Sequence, residues 1–156
     1  PTFDIPIFGV DIVCSNTVIL AAIVDLSPVS DDLPVDIRRL LKNSLYPSFR
    51  QVRDLPEWGD IFSKYVKFIR PDGRDEEELF EQIVEDYLRI LVASLTSLEP
   101  DLLNSETSIE RLNYQLYYCQ QQKRNDKTRK VLANAFTPQW AERYIDTLLF
   151  ESPLNL

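Results

Sequence analysis

The hydrophobic pattern divides the chain into an apolar, β-branched opening and a longer amphipathic remainder. Residues 5–13 (IPIFGVDIV) and 18–25 (VILAAIVD) are runs rich in valine and isoleucine that flank Ser15-Asn16. Two such runs around a two-residue polar turn predict a β-hairpin. In that register Asp11 lies opposite Leu20, and it points the same way as Ile5, Ile7, Gly9 and Val13 because side chains alternate along a strand. A proline-bounded segment then leads to a short helix near 32–43, started by Asp32 and carrying Ile37, Leu40 and Leu41 inward. Residues 46–60 are irregular. Residues 61–70 (IFSKYVKFIR) read as another strand, ended by Pro71-Asp72-Gly73.

From residue 75 the period becomes helical. Over 75–98, Leu79, Ile83, Tyr87, Leu91 and Leu95 form one seam, with Phe80, Val84, Leu88 and Val92 beside it. Asp75 followed by Glu78 has the spacing of a capping box, and acids in the first turn suit the positive end of the helix dipole. A second helix fits 106–122, with Ile109, Leu112, Leu116 and Cys119 at helical spacing. A break at 123–126 leads to a helix from Asp126 to Phe136. Thr137-Pro138 then supplies an N-cap and a first-turn proline. They start a last helix over 138–149, in which Trp140, Tyr144 and Leu148 share a face. Strands precede helices without βαβ alternation, which predicts a mainly antiparallel sheet covered by helices. No repeat or low-complexity linker interrupts the pattern, so residues 1–156 read as a single domain.

Composition narrows the chemistry. Hydrophobic residues at 44% and charged residues at 27% are ordinary for a globular domain. No apolar run approaches the ~20 residues that cross a bilayer, and the expectation is a soluble, cytoplasmic protein without a membrane partner. The sequence has no histidine, which removes Ser-His-Asp and Cys-His catalysis and every histidine metal site. Cys14 and Cys119 stand apart, with no CxxC motif. Three glycines leave neither GxGxxG nor a P-loop. There is no methionine, and Pro1 comes directly before an apolar run, so the chain is expected to be a fragment or a processed piece.

A net charge of −8 argues against nucleic acid as a partner. The charge is uneven: 72–86 holds eight acids and one arginine, whereas 123–130 (KRNDKTRK) holds five bases and one acid. The acidic stretch reads as a solvated helix face, and the basic segment as a candidate contact for an anionic ligand or partner.

Four groups of residues could carry chemistry. Asp11 places a carboxylate within an apolar strand face, where burial raises a carboxyl pKa and suits a proton donor; an exposed face or a pairing base is the plainer alternative. Asn125-Asp126 sits at a helix start, where Asp126 could equally be a cap. Arg53 and Lys127 could each grip a carboxylate, arginine by a two-pronged contact and lysine as a point charge. Tyr114, Tyr117 and Tyr118 read as core and boundary residues rather than a stacking platform.

Several longer blocks carry a resemblance. IPIFGVDIV, AAIVDLSP, LPEWGDIFSKYVKFIRP and above all YCQQQKRNDKTRKVLANAF followed by WAERYIDTLLFE resemble, in order, the ferredoxin-dependent bilin reductases. The likeness runs from about Phe3 to Glu151 and corresponds to the later part of such an enzyme. The Asn-Asp-Lys-Thr run is similar to the phycocyanobilin-forming branch. The resemblance implies an α/β fold, a three-layer α/β/α sandwich with a central antiparallel sheet whose N-terminal strands are missing here. It implies biliverdin IXα bound between the sheet and the C-terminal helices, and reduction by four single electrons from ferredoxin through bilin radicals. No metal or flavin is implied, and the protein is taken as a monomer.

Carried over by resemblance, Asp11 is the acid that protonates the bilin, Asn125 and Asp126 are the catalytic pair on a loop near the substrate, and Arg53 and Lys127 hold propionates. Leu20 departs from the pattern where a propionate-contacting serine is expected. The catalytic glutamate and histidine of the family have no counterpart in these residues, so the 156 residues alone are expected to be inactive. A sister reductase with another bilin product, or a truncated bilin-binding module without turnover, are the other readings.

Overall fold

A computed structural model describes residues 1–96 and 98–153. The chain gathers into two compact units, Phe3–Pro100 and Asp101–Leu156 together with Pro1–Thr2.

In the larger unit, strands β1 (Ile7–Ser15) and β2 (Val18–Ser27) form the hairpin predicted from their β-branched runs. The turn is Asn16-Thr17, one residue later than expected, with Asn16 in the left-handed region at φ 53°. Asparagine tolerates that conformation through local hydrogen bonding. From the turn the register runs Ser15↔Val18, Cys14↔Ile19 and then Val13↔Ala21, which leaves Leu20 as an extra residue in a β-bulge. The later turn and the bulge together set Asp11 opposite Ile23, not Leu20. Strand β3 (Lys67–Ile69) pairs antiparallel with the other edge of β2, giving the order β1-β2-β3.

The strand expected over 61–70 is thus confined to three residues. Gly59–Ile61 is a 3₁₀ turn, and the Ser63 backbone and hydroxyl both turn toward the Asp25 carboxylate, which takes them out of any ladder.

One sheet face, bearing Ala22, Val24, Leu26 and Ile69, builds the core with two helices. Helix α1 (Val35–Asn43) contributes Ile37 and Leu41. It starts three residues later than expected, because the Asp32 carboxylate already accepts from the Leu33 N–H at 2.8 Å and from Arg38 at 2.7 Å. Leu40, expected inward, lies on the exposed flank of the stripe that Ile37 and Leu41 form four residues apart.

Helix α2 (Arg74–Leu95) contributes Phe80, Ile83 and Tyr87. Its first turn carries no capping box: Asp75 pairs with Arg50 at 2.9 Å and Glu78 with Arg74 at 2.7 Å. The N-cap is Gly73 at φ 93°, where a β-carbon would be strained and would meet an Asp75 carboxylate oxygen at 3.1 Å. Buried Glu76 accepts from the backbone N–H groups of Arg50 (2.7 Å) and Asp72 (2.8 Å), tying both flanking segments to the helix start. Leu79, Val84 and Leu91 pack at the core margin, while Leu88, Val92 and Leu95 are exposed.

The smaller unit holds α3 (Glu106–Gln122), α4 (Asp126–Ala135) and α5 (Pro138–Tyr144). Ser105 caps α3 by accepting from the Ser108 N–H at 3.2 Å, and Thr137 caps α5 by accepting from the Trp140 N–H at 3.1 Å. The helix expected over 138–149 widens after Tyr144 into a π turn, Ile145–Leu149. Trp140 and Tyr144 do share a face and stack with ring centroids 4.7 Å apart, and Phe136 stacks on Trp140 at 4.1 Å. Leu148 is exposed. Tyr118 is buried and Tyr117 exposed, a core and boundary division. Among the described residues no helix is long and apolar enough to cross a membrane.

Ile83 has no exposed surface, whereas Leu88, five residues on, is 45% exposed. Ile83→Ala should cost about 2–5 kcal/mol and Leu88→Ala within about 0.5 kcal/mol, read from urea unfolding midpoints. Equal losses would mean that the helix buries a different face.

Candidate functional site

Residues directly opposite in an antiparallel ladder share a face, so Asp11, Ile23 and Phe68 form one row across β1, β2 and β3. This face is the reverse of the one that builds the core. Ile23 and Phe68 are half-buried. At roughly 4.8 Å between strands, the ends of the row lie about 10 Å apart.

Asp11 occupies one end. As a residue it is exposed, on the outer strand of the sheet, yet its carboxyl is partly withdrawn from water. Desolvation pushes the carboxyl above its ordinary 3.8, and a hydrogen bond from the Ile12 backbone N–H pulls it part of the way back. The direction follows from the partial burial of the carboxyl, and the open side keeps it in reach of a ligand.

Arg53 occupies the other end. Its backbone N–H donates to the Phe68 carbonyl at 2.8 Å, its Nη1 donates to the Leu20 carbonyl at 2.8 Å, and its guanidinium carbon lies 5.3 Å from the Phe68 ring centroid. The departure at position 20 therefore bears on Arg53 through the backbone: the bulged residue presents a carbonyl, whatever its side chain.

A second acid on this face was missed in the sequence. Asp25 lies opposite Gly9, one step along β2 from Ile23, and is fully buried. Its carboxylate accepts from Ser63 Oγ at 2.6 Å, the Ser63 N–H at 2.8 Å and Ser27 Oγ at 2.7 Å. Desolvation raises its pKa, and the bonds from Ser63, Ser27 and the Leu26 backbone offset part of the rise. The available signal was Asp25-Leu26-Ser27, a carboxylate and a hydroxyl two residues apart on one strand face.

In the smaller unit, Asn125 caps α4 by accepting from the Thr128 N–H at 3.2 Å. The cap is thus Asn125 and not Asp126, which stands exposed as the first helical residue with Lys127 after it. Neither side chain has a partner among the described residues. The basic segment is partly neutralised within the unit: Lys123 lies 3.5 Å from Asp146, and Arg129 pairs with Glu142 and donates to the Lys123 carbonyl at 2.6 Å. The Arg124 guanidinium donates to the neutral Gln121 side chain, at 2.6 Å. Asp11 and Arg53 are brought together in one unit, and Asn125, Asp126 and Lys127 in the other. Among the described residues no group of three His, Cys, Asp or Glu side chains is placed to hold a metal ion.

The row of Asp11, Ile23 and Phe68, with Arg53 above its far end, suits a flat, largely apolar ligand with an anionic substituent. Comparison with known proteins then gives the chain's relatives. Residues 1–151 match the family described as ferredoxin-dependent bilin reductase. The chain is 53% identical over 155 residues to phycocyanobilin:ferredoxin oxidoreductase of Prochlorococcus marinus, covering 99% of this chain and 63% of that protein. It is 55% identical over 153 residues to the protein of the same name from a Synechococcus, covering 98% and 62%. The chain thus spans about 60% of the length of these curated relatives. A crystal structure of tomato phytochromobilin synthase in complex with biliverdin matches with a TM-score of 0.76 at 20% identity, covering 96% of this chain and 56% of that one. At that identity the likeness is one of fold, and it agrees with the α/β class and the antiparallel sheet.

The elevated Asp25 carboxyl has a consequence for stability. As pH rises from 3.8, the unfolded chain releases this proton first, so the folded state holds more protons and the contribution of Asp25 to stability falls until pH passes its raised folded value. Asp25→Asn removes that slope. Urea unfolding of both proteins from acid to neutral pH should show stability falling more steeply with pH when Asp25 is present. Parallel curves would show that burial does not raise this carboxyl.

Proposed function

The chain belongs to the ferredoxin-dependent bilin reductase family, and from that premise we propose that it forms the later part of a single reductase domain that converts biliverdin IXα to phycocyanobilin. The donor implied by the family description is ferredoxin, which supplies one electron at a time. Four electrons and four protons complete the conversion. The names of the relatives support the product, and the solved relative with biliverdin supports the substrate.

The observation that carries this reading is the row with Asp11 at one end and Arg53 at the other. A bilin that has taken up an electron becomes more basic and needs a proton at a defined atom. Asp11, its carboxyl raised by desolvation, keeps a transferable proton to higher pH than an ordinary aspartate and gives it to the pyrrole or lactam edge. The carboxylate left behind is then recharged from water on its open side. Arg53 meets a propionate through its planar fork. Asn125 fixes the start of α4 and with it the position of Asp126.

Ferredoxin docks on the cationic segment at 123–130. Lys123 and Arg129 already face acids of their own unit, so Arg124, Lys127 and Lys130 carry the attraction.

Asp11→Asn, made in the complete gene product, should bind biliverdin with unchanged affinity but lose product formation by about 100-fold or more, since the amide keeps the shape and removes the proton. In the parent, single-turnover rates should fall as pH rises through the raised Asp11 value, because the acid form is the active one. Normal phycocyanobilin formation by the variant would reject the proton-donor role, and absence of product from the parent as well would favour the binding-module reading.

Reversing charge at Arg124 and Lys130 should weaken ferredoxin binding several-fold at low salt. The difference should shrink as ionic strength approaches 0.15 M, where the Debye length is about 8 Å. Affinity indifferent to both changes would exclude this surface.

A further inference from the structure

We propose that Phe68 is a positioning residue for anion recognition: its ring, with the carbonyl of bulged Leu20, holds the Arg53 guanidinium in one orientation at the end of the Asp11 row. This rests on the reading that Arg53 meets a ligand carboxylate. Three contacts define the arrangement. The Arg53 N–H bonds the Phe68 carbonyl at 2.8 Å and fixes the backbone beside β3. The guanidinium carbon stands 5.3 Å from the centre of the Phe68 ring, within the range in which an aromatic face attracts a cation. Nη1 donates to the Leu20 carbonyl at 2.8 Å, and that carbonyl belongs to the extra residue that the bulge leaves out of the ladder.

The consequence is a directed fork. A guanidinium has five N–H donors in one plane, and only one is engaged here among the described residues. The carbonyl on one side and the ring on another hold the fork and leave its remaining donors for a ligand. An arginine free in solution samples many rotamers, and a carboxylate that binds it must restrict them. Here two side-chain contacts have made that restriction before the ligand arrives. Phe68 has a particular claim to this role because it is also the third residue of the row, directly opposite Ile23.

The test separates charge recognition from shape. In the complete gene product, absorbance titrations of the parent, Phe68→Leu, Phe68→Tyr and Arg53→Ala would compare biliverdin IXα with its dimethyl ester, which keeps the ring system and loses the carboxylates. Phe68→Leu keeps a similar bulk without an aromatic face, and it should weaken biliverdin about 3–10-fold while changing ester affinity less than about 2-fold. Phe68→Tyr should retain both affinities. Arg53→Ala should lower the preference for the diacid. Loss of acid and ester affinity together in Phe68→Leu would show a merely structural role and overturn the proposal, as would no loss at all. If Arg53→Ala leaves the acid-to-ester ratio unchanged, the underlying reading of Arg53 falls and this one with it. If only Phe68→Leu leaves the ratio unchanged, Arg53 stands and the positioning role does not.

Discussion

The bulge at Leu20 sets which side chains the sheet offers to which side. Side chains on a strand alternate, so a register shift of one residue exchanges every neighbour across the ladder. From the Asn16-Thr17 turn the pairing begins Ser15↔Val18 and Cys14↔Ile19, and continued unbroken it would set Asp11 opposite Ala22. Ala22 belongs to the face that builds the core with Ile83 and Tyr87. That pairing would direct a carboxylate toward the helices. The extra residue restores the other parity, so Asp11 meets Ile23 on the open face and Val24 meets Val10 on the closed one. The bulge also frees the carbonyl that Arg53 grips, so one irregularity serves both ends of the row.

Two aspartates on this face show how environment assigns different tasks to one side chain. Asp25 receives three hydrogen bonds from Ser27 and Ser63 and is sealed from water. Its oxygens are occupied, and its effect is to pin the 63–65 segment to β2. Tyr87 adds to this by donating to the Tyr65 carbonyl at 2.5 Å, with its own ionisation suppressed by burial first and by the Asp25 charge after it. Asp11 is raised by desolvation too, but it has a single backbone N–H as compensation and one side open. A carboxyl that can reach a ligand and holds few competing bonds is the one able to pass a proton.

What the sequence shows well is what local chemistry decides. The span of α3 over 106–122 and the Thr137 cap with Pro138 are as expected, because capping residues and apolar spacing lie within a few positions of the ends they define. The failures have distant causes. The strand expected over 61–70 is cut short by Asp25, 38 residues away in sequence from Ser63. The capping box at Asp75 gives way to Arg50, 25 residues earlier. At Asn125-Asp126 both side chains can cap, and only the built helix distinguishes them. For the candidate site, Asp11 stood out as a carboxylate among β-branched residues and Arg53 came through the family likeness. The bulge, Phe68 and Asp25 depend on cross-strand pairing that no local pattern reveals.

The charge distribution follows the same division between local and global. A chain at −8 repels an acidic partner on average, yet the average acts only over distances that salt has not screened. Within the smaller unit, the pairing of Lys123 with Asp146 and of Arg129 with Glu142 removes two of the five bases of 123–130 from any outward role and links the start of α4 to α5 and the π turn. Surface pairs of this kind add little to stability singly. Their effect is geometric: with Asn125 capping the same turn, they hold Arg124, Lys127 and Lys130 on an ordered helix start rather than a loose loop. An ordered cluster of three cations attracts an acidic surface at short range more sharply than five scattered ones. Much of the excess of acid over base lies in 72–86, with eight acids against one arginine, in the other unit.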